Sequence, residues 1–204
     1  MPAKSRKLEG PIKGITKITQ QNMDAFVTVN TDLGNILTDL QLTNINDKKQ
    51  INYRGEVEFL NFDLGIYTQQ PALGRSSFKG TIYGSSLEKR SINAAFIASV
   101  SSLKYKKYAY KNIELNGQYK NNILTGDVSI NDAYFRMNLD GIADFSKKVH
   151  AFNFNADIIN LNLQKTNLFT RDSISVLEGI LEVDYQGNSL DDAIGTAIFK
   201  ISYY

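Results

Sequence analysis

A chain of 204 residues without a cysteine is large enough to fold with no covalent staple, and it can hold neither a disulfide framework, a thiolate zinc site nor a cysteine nucleophile. Its 23 Lys and Arg are interspersed with 21 Asp and Glu along the whole length, which removes the basic face that a phosphate backbone would need. Tyr and Phe number 11 each, Trp is absent and Pro numbers 3, a balance that favours pleated, aromatic-rich strands over helices.

Met1 is followed by Pro2, Lys4, Arg6 and Lys7 but by no apolar core of signal-peptide length, and no stretch approaches the roughly 20 apolar residues of a membrane span. Residues 1–50 read as leading strands continuous with a following sheet. From residue 51 onward, alternation with period two dominates, the mark of strands with one apolar and one watered face. Ile51, Tyr53, Gly55, Val57 and Phe59 point one way, and Asn52, Arg54, Glu56 and Glu58 the other. Residues 64–70, closed by Pro71, read as a short helix or an irregular loop.

The alternation returns with Ile113, Leu115, Gly117 and Tyr119, then with Leu124, Gly126, Val128 and Ile130. It continues through Phe135, Met137, Leu139 and Gly141, through Phe152, Phe154, Ala156 and Ile158, and through Leu177, Gly179, Leu181, Val183 and Tyr185. The links Lys120-Asn121-Asn122, Asn131-Asp132 and Ser146-Lys147-Lys148 are short and polar, which predicts hairpins between sequential antiparallel strands. Ser189 before Leu190-Asp191-Asp192-Ala193-Ile194-Gly195 has the N-cap, first-turn acids and closing glycine of one short helix. A weak repeat at an offset of about a hundred residues aligns Leu60-Asn61-Phe62-Asp63-Leu64 with Ile159-Asn160-Leu161-Asn162-Leu163, and Phe78-Lys79-Gly80 with Leu177-Glu178-Gly179. The expected fold is all-β: a long, curled, mostly antiparallel meander forming an open trough with one or two short helices.

Tyr108-Ala109-Tyr110-Lys111-Asn112-Ile113-Glu114-Leu115-Asn116-Gly117, the strand from Gly126 to Ile130, and Leu139-Asp140-Gly141-Ile142-Ala143-Asp144-Phe145 together resemble the TamB branch of the AsmA-like family, in its Bacteroidota form. Gly55-Glu56-Val57, Asp63-Leu64-Gly65, Leu73-Gly74, Phe78-Lys79-Gly80 and Asn188-Ser189-Leu190-Asp191-Asp192 fit the same pattern. The resemblance runs from about residue 49 to the last residue, and the first fifty residues fit it poorly. It implies a β-taco-like trough, apolar inside and polar outside, within a longer periplasmic protein anchored in the inner membrane. It also implies phospholipid acyl chains, a barrel-type outer-membrane assembly component and neighbouring segments of the same long chain as partners. No catalytic residue and no cofactor come with it.

The residues expected to line the groove are Tyr53, Val57, Phe59, Ile113, Leu115, Leu124, Val128, Ile130, Phe135, Met137, Leu139, Phe152, Phe154, Ile158, Leu181 and Val183. A chain with His150 as its one histidine and no cysteine builds neither a histidine triad nor a multi-histidine metal site. The densest carboxylate pair, Asp191-Asp192, is explained by the dipole of a helix start, with Asp172 and Glu178 elsewhere. Lysines and tyrosines interleave from Leu103 to Lys111 as in single-strand platforms, but the run is local, so nucleic acid is not an expected partner.

Two other classes compete with the conduit. One is a free-standing extracellular or periplasmic β-sandwich, an adhesin or interaction module whose apolar faces close on each other. The other is a transmembrane barrel, which would gather aromatics at strand ends, whereas the sequence reads as spreading them along the strands.

Overall fold

The computed structural model describes residues 11–88, 91–169, 176–188 and 193–203. Strand accounts for 71% of the described residues. In order come β1 (Ile12–Ile18), β2 (Asn22–Thr31), β3 (Gly34–Thr43), β4 (Asn52–Asp63), α1 (Leu64–Thr68), β5 (Leu73–Ser85) and β6 (Asn93–Tyr105). They are followed by β7 (Tyr108–Tyr110), β8 (Ile113–Lys120), β9 (Ile123–Asn131), β10 (Phe135–Asp144), β11 (Ala151–Asn162), β12 (Val176–Gln186) and β13 (Ile194–Tyr203). All strands join one antiparallel sheet in sequence order, with β7 folded back on the end of β6 and off the main path. The leading strands β1 to β3 are part of that sheet.

Turn chemistry explains the meander. Asn121 and Asn122, both in the left-handed region at φ 53° and 61°, make a two-residue turn between β8 and β9, as the backbone twist of a tight hairpin demands. Lys106 and Lys107 adopt the same conformation between β6 and β7, at φ 46° and 69°. At α1 the side chain of Asp63 accepts from the Ile66 N–H at 2.9 Å, and Gln69 ends the helix in the left-handed conformation. The first of the two expected helices is therefore α1. Of the second, Ser189 to Asp192 lie outside the described residues, and its expected end is strand instead: Ile194 pairs with Gln186 and Gly195 with Tyr185. The unfilled ladder of β12 captures these residues, because pairing backbone groups along a sheet outweighs a short local helix.

The register is straight. Following directly opposed residues across the sheet, Gly14, Val27, Thr38, Val57, Gly80, Ala98, Leu115, Val128, Leu139, Ala156, Leu181 and Phe199 form one line with no net stagger. Closure into a barrel requires stagger to accumulate around the ring, so β1 and β13 remain open edges. Each strand's substantial contacts are with its neighbours in the sheet order, and the molecule is one layer. Its accessible surface is 13792 Å², against about 9,600 Å² for a compact chain of this mass. A closed sandwich, which hides one face of each of two sheets, is not the architecture.

One rim of the sheet is consolidated by bulges and buried polar groups. In β4 the pairing slips between Phe59 and Phe62, and in β11 between Ile158 and Leu161; each slip is followed by a buried side chain, Phe62 or Leu161. Asp63 then caps Ile66, while Asn162 accepts from the Lys165 N–H at 2.9 Å, so the two repeat segments use one device. Buried Thr166 follows in the second, and its carbonyl accepts from the Tyr110 hydroxyl at 3.0 Å. Buried Asp132 accepts from the Tyr108 hydroxyl, from the Lys111 N–H at 3.1 Å and from the Tyr134 N–H at 3.0 Å.

Aromatic rings gather at both rims, contrary to the even spread read from the sequence. Phe59 stacks on Phe78 at 4.4 Å and meets Phe62 edge-on; Tyr108, Tyr110, Tyr134 and Phe135 group nearby. At the opposite rim Phe152 stacks on Tyr185 at 4.6 Å, with Phe145 and His150 beside it. Ring position within a strand depends on where strands start and where bulges fall, which alternation alone does not reveal.

Asp132→Ala leaves three donors without their acceptor, and chemical denaturation should show a loss of about 3 kcal/mol. Burial, then the bond to Asp132, holds the Tyr108 hydroxyl well above its usual range; burial likewise pushes Tyr110 up. A raised phenol contributes stability that is intact below the unfolded value of about 10 and is lost as pH climbs above it. Stability should therefore hold up to about pH 10 and decline beyond, less steeply in Tyr108→Phe.

Candidate functional site

Side chains directly opposed across an antiparallel pair lie on one face of the sheet. By that rule the register brings every expected lining residue to one face. Tyr53, Leu124 and Phe152 lie in one line near the second rim, and Phe154 and Val183 in the next. Val57, Leu115, Val128, Leu139 and Leu181 form the line already traced. Phe59, Ile113, Ile130, Met137 and Ile158 run in a fourth, with Phe135 just beyond it opposite Leu161. At about 4.8 Å per strand the lines run roughly 50 Å across the sheet, and four of them span about 20 Å.

Ile113 and Ile158 are buried and the other lining residues are half-buried, because they pack sideways on each other with no second layer above. Isoleucines on the opposite face fare differently: Ile97 is 55% and Ile142 50% exposed. The apolar face is thus the sheltered one. The opposite face carries Arg54, Glu56, Lys79, Glu114, Asp127, Arg136, Asp140 and Glu182. There, Lys79 reaches Glu56 at 2.8 Å, and that hydrogen bond raises the ammonium pKa.

One feature of the apolar face escaped the sequence reading. Gly117, Gly126 and Gly141 are directly opposed on β8, β9 and β10, so three adjacent strands present bare backbone side by side. The Phe96 ring lies over the first, where a Cβ on Gly117 would come within 2.5 Å of Cζ, and Cβ of Phe154 approaches Gly141 from the other side. The result is an apolar recess of about 260 Å³ between Phe96 and Phe154, walled by Leu115, Val128 and Leu139 on one side and Leu124, Ala143 and Phe152 on the other. Broader depressions of about 610 and 640 Å³ lie on the polar face, where Gln41, Arg54, Gln118, Thr125 and Asp140 offer amides and charges already solvated by water. The dry recess is the more selective of these sites, since it alone presents an apolar floor and apolar walls.

The other sequence candidates have structural roles or lie outside view. His150 packs edge-on against Phe145 at 5.1 Å, and its backbone N–H donates to Asn188 Oδ1. Lys106 and Lys107 form a hairpin turn, while Tyr108 and Tyr110 are turned into the rim cluster. Asp172, Asp191 and Asp192 lie outside the described residues. Among the described residues no three His, Asp or Glu side chains converge as a metal site would require.

In comparisons with known protein families, curated proteins and solved structures, nothing matches the chain.

A Cβ at Gly126 would sit 2.5 Å from the Asn116 carbonyl oxygen, an atom fixed in the ladder. Gly126→Val should therefore cost about 2 kcal/mol in denaturant unfolding, far more than a valine on an open sheet surface.

Proposed function

We propose that this chain is a non-enzymatic segment of a TamB/AsmA-like envelope protein, whose apolar face supports movement of lipid between the inner and outer membranes and thereby outer-membrane biogenesis and protein assembly. The observation that carries this reading is a single-layer sheet with four predominantly apolar lines, interrupted by Thr16 and Thr38, running across the strands on its sheltered face. Acyl chains suit such a surface, since it offers contact worth about 0.8 kcal/mol per buried methylene with no directional bond to break on moving along. The near-equal spacing of the lines supports sliding, and the glycine recess supplies a place where a chain rests closer to the backbone. In this reading the chain works in the periplasm within a parent anchored in the inner membrane. Neighbouring segments extend the sheet, a barrel-type outer-membrane component is the assembly partner, and neither cofactor nor nucleic acid takes part.

Faces provide the test. A photo-crosslinking residue at Val128, Phe135 or Met137 should capture phospholipid in cells, and the same probe at Ser129, Arg136 or Asn138 should not; equal labelling of the two sets would end the proposal. Met137→Asp should abolish capture while lowering stability by no more than about 1 kcal/mol, because a half-buried charge on an open face keeps access to water. Ala143→Phe fills the recess without adding charge. It should weaken binding of an environment-sensitive fatty-acid probe about tenfold, the equivalent of ~1.4 kcal/mol, with the melting temperature unchanged.

A further inference from the structure

The run from Lys104 to Lys111 does more than turn a hairpin. With the loop that follows β11 it makes one rim of the sheet strongly basic: residues 104–111 and 163–169 together carry five lysines and no carboxylate. The two segments are distant in the chain and joined in the fold. The Tyr110 hydroxyl donates to the Thr166 carbonyl at 3.0 Å, and the Asn167 side-chain amide donates to the Lys106 carbonyl at 3.0 Å. The Lys165 ammonium lies 6.0 Å from the centre of the Tyr134 ring, which neighbours Tyr108. Lys106, Lys107, Lys111 and Lys165 are thereby gathered at one place, all exposed and none paired with a described carboxylate. Asp132, the acid of this rim cluster, is buried and already engaged by three donors. The opposite rim is balanced by contrast: Lys49 meets Glu88 at 3.8 Å, and Lys147 and Lys148 follow Asp144.

Two observations direct this cluster toward an amphiphile. The Lys106 ammonium lies 5.6 Å from the centre of the Tyr105 ring. Tyr105 is opposed to Tyr108, Leu103 to Tyr110 and to Ser76, and Ser76 lies two residues from Phe78 in the fourth apolar line. These tyrosines therefore stand on the apolar face, where Tyr110 meets Phe135, and the cations over them border that face. The second observation is in the backbone. Lys106 and Lys107 hold the left-handed conformation that asparagine or glycine adopts more easily, and that Asn121 and Asn122 adopt between β8 and β9. The turn itself has no need of lysine, so the retained charge points to a use outside the fold.

We propose that this rim binds the phosphate of an anionic phospholipid, held chiefly by Lys106 and Lys165, while the acyl chains lie on the apolar face beside Phe135 and Met137. Cations without partners favour a head of net negative charge over a zwitterion, whose own ammonium they repel. The proposal rests on the lipid reading of the apolar face and adds to it the place and the charge of the head group.

Phosphatidylglycerol and phosphatidylcholine with the same short acyl chains, each below its critical micelle concentration, provide the test by calorimetric titration into the full chain. At about 0.1 M salt phosphatidylglycerol should bind about tenfold more tightly, and the preference should shrink to about twofold near 1 M, where screening acts within ~3 Å. Lys106→Gln with Lys165→Gln should reduce it to about twofold and leave phosphatidylcholine affinity unchanged. Lys106→Arg with Lys165→Arg should preserve it. Lys147→Gln with Lys148→Gln removes the same charge from the opposite rim and should not alter it. Inorganic phosphate at the lipid's concentration should displace none of the bound lipid. Equal affinity for the two lipids, an equal loss from both glutamine pairs, or displacement by phosphate would overturn the head-group site and leave the apolar face as a lipid surface. Binding of neither lipid would overturn both.

Discussion

Everything in this molecule depends on the unstaggered antiparallel ladder. Each hairpin returns its strand to the same level, so twelve strands line up like rungs and side chains two residues apart fall into lines that cross the whole sheet. A staggered ladder of the same strands would tilt those lines and could close into a barrel, with the apolar stripe wound round the outside. Here the backbone pairing itself keeps the apolar face continuous, sheltered and open.

A sheet of one layer has little interior, and most of its large buried side chains sit at one rim. Phe62, Tyr110, Ile113, Ile158, Leu161 and Thr166 are buried there, and Asp132 is the buried polar hub with three donors around it. The bulges in β4 and β11 turn the ends of their strands so that Phe62 and Leu161 enter this small core, while Asp63 and Asn162 close the turns that follow. Rigidity concentrated at one rim leaves the rest of the apolar face free of the packing that would otherwise have to be broken for a ligand to approach. The half-buried state of most lining residues has the same origin: lateral contact between neighbours shelters them without sealing them.

Alternation settled the fold class because period two is local, visible within five or six residues of one strand. The face of every expected lining residue was legible for the same reason, since parity survives as long as no bulge intervenes. Where a two-residue turn is written plainly, as at Asn121-Asn122, even the partner of each residue follows from the turn's centre, and Gly117 opposite Gly126 was within reach of the sequence. The third member of that row, Gly141, was not, because the link through residues 132–134 has no such signature and its register is held by the Asp132 hub.

By itself, then, the sequence determined that the chain is a meander of strands with one apolar face, because side-chain parity and short polar turns are local properties. Only the tertiary structure decided that the sheet stays open in a single layer, that the glycines align into a recess, that aromatic rings collect at the rims, and that Ile194 and Gly195 join a strand instead of closing a helix. Each of these is a matter of register, and register is a relation between residues far apart in the chain, set by turns, bulges and competing backbone ladders acting together.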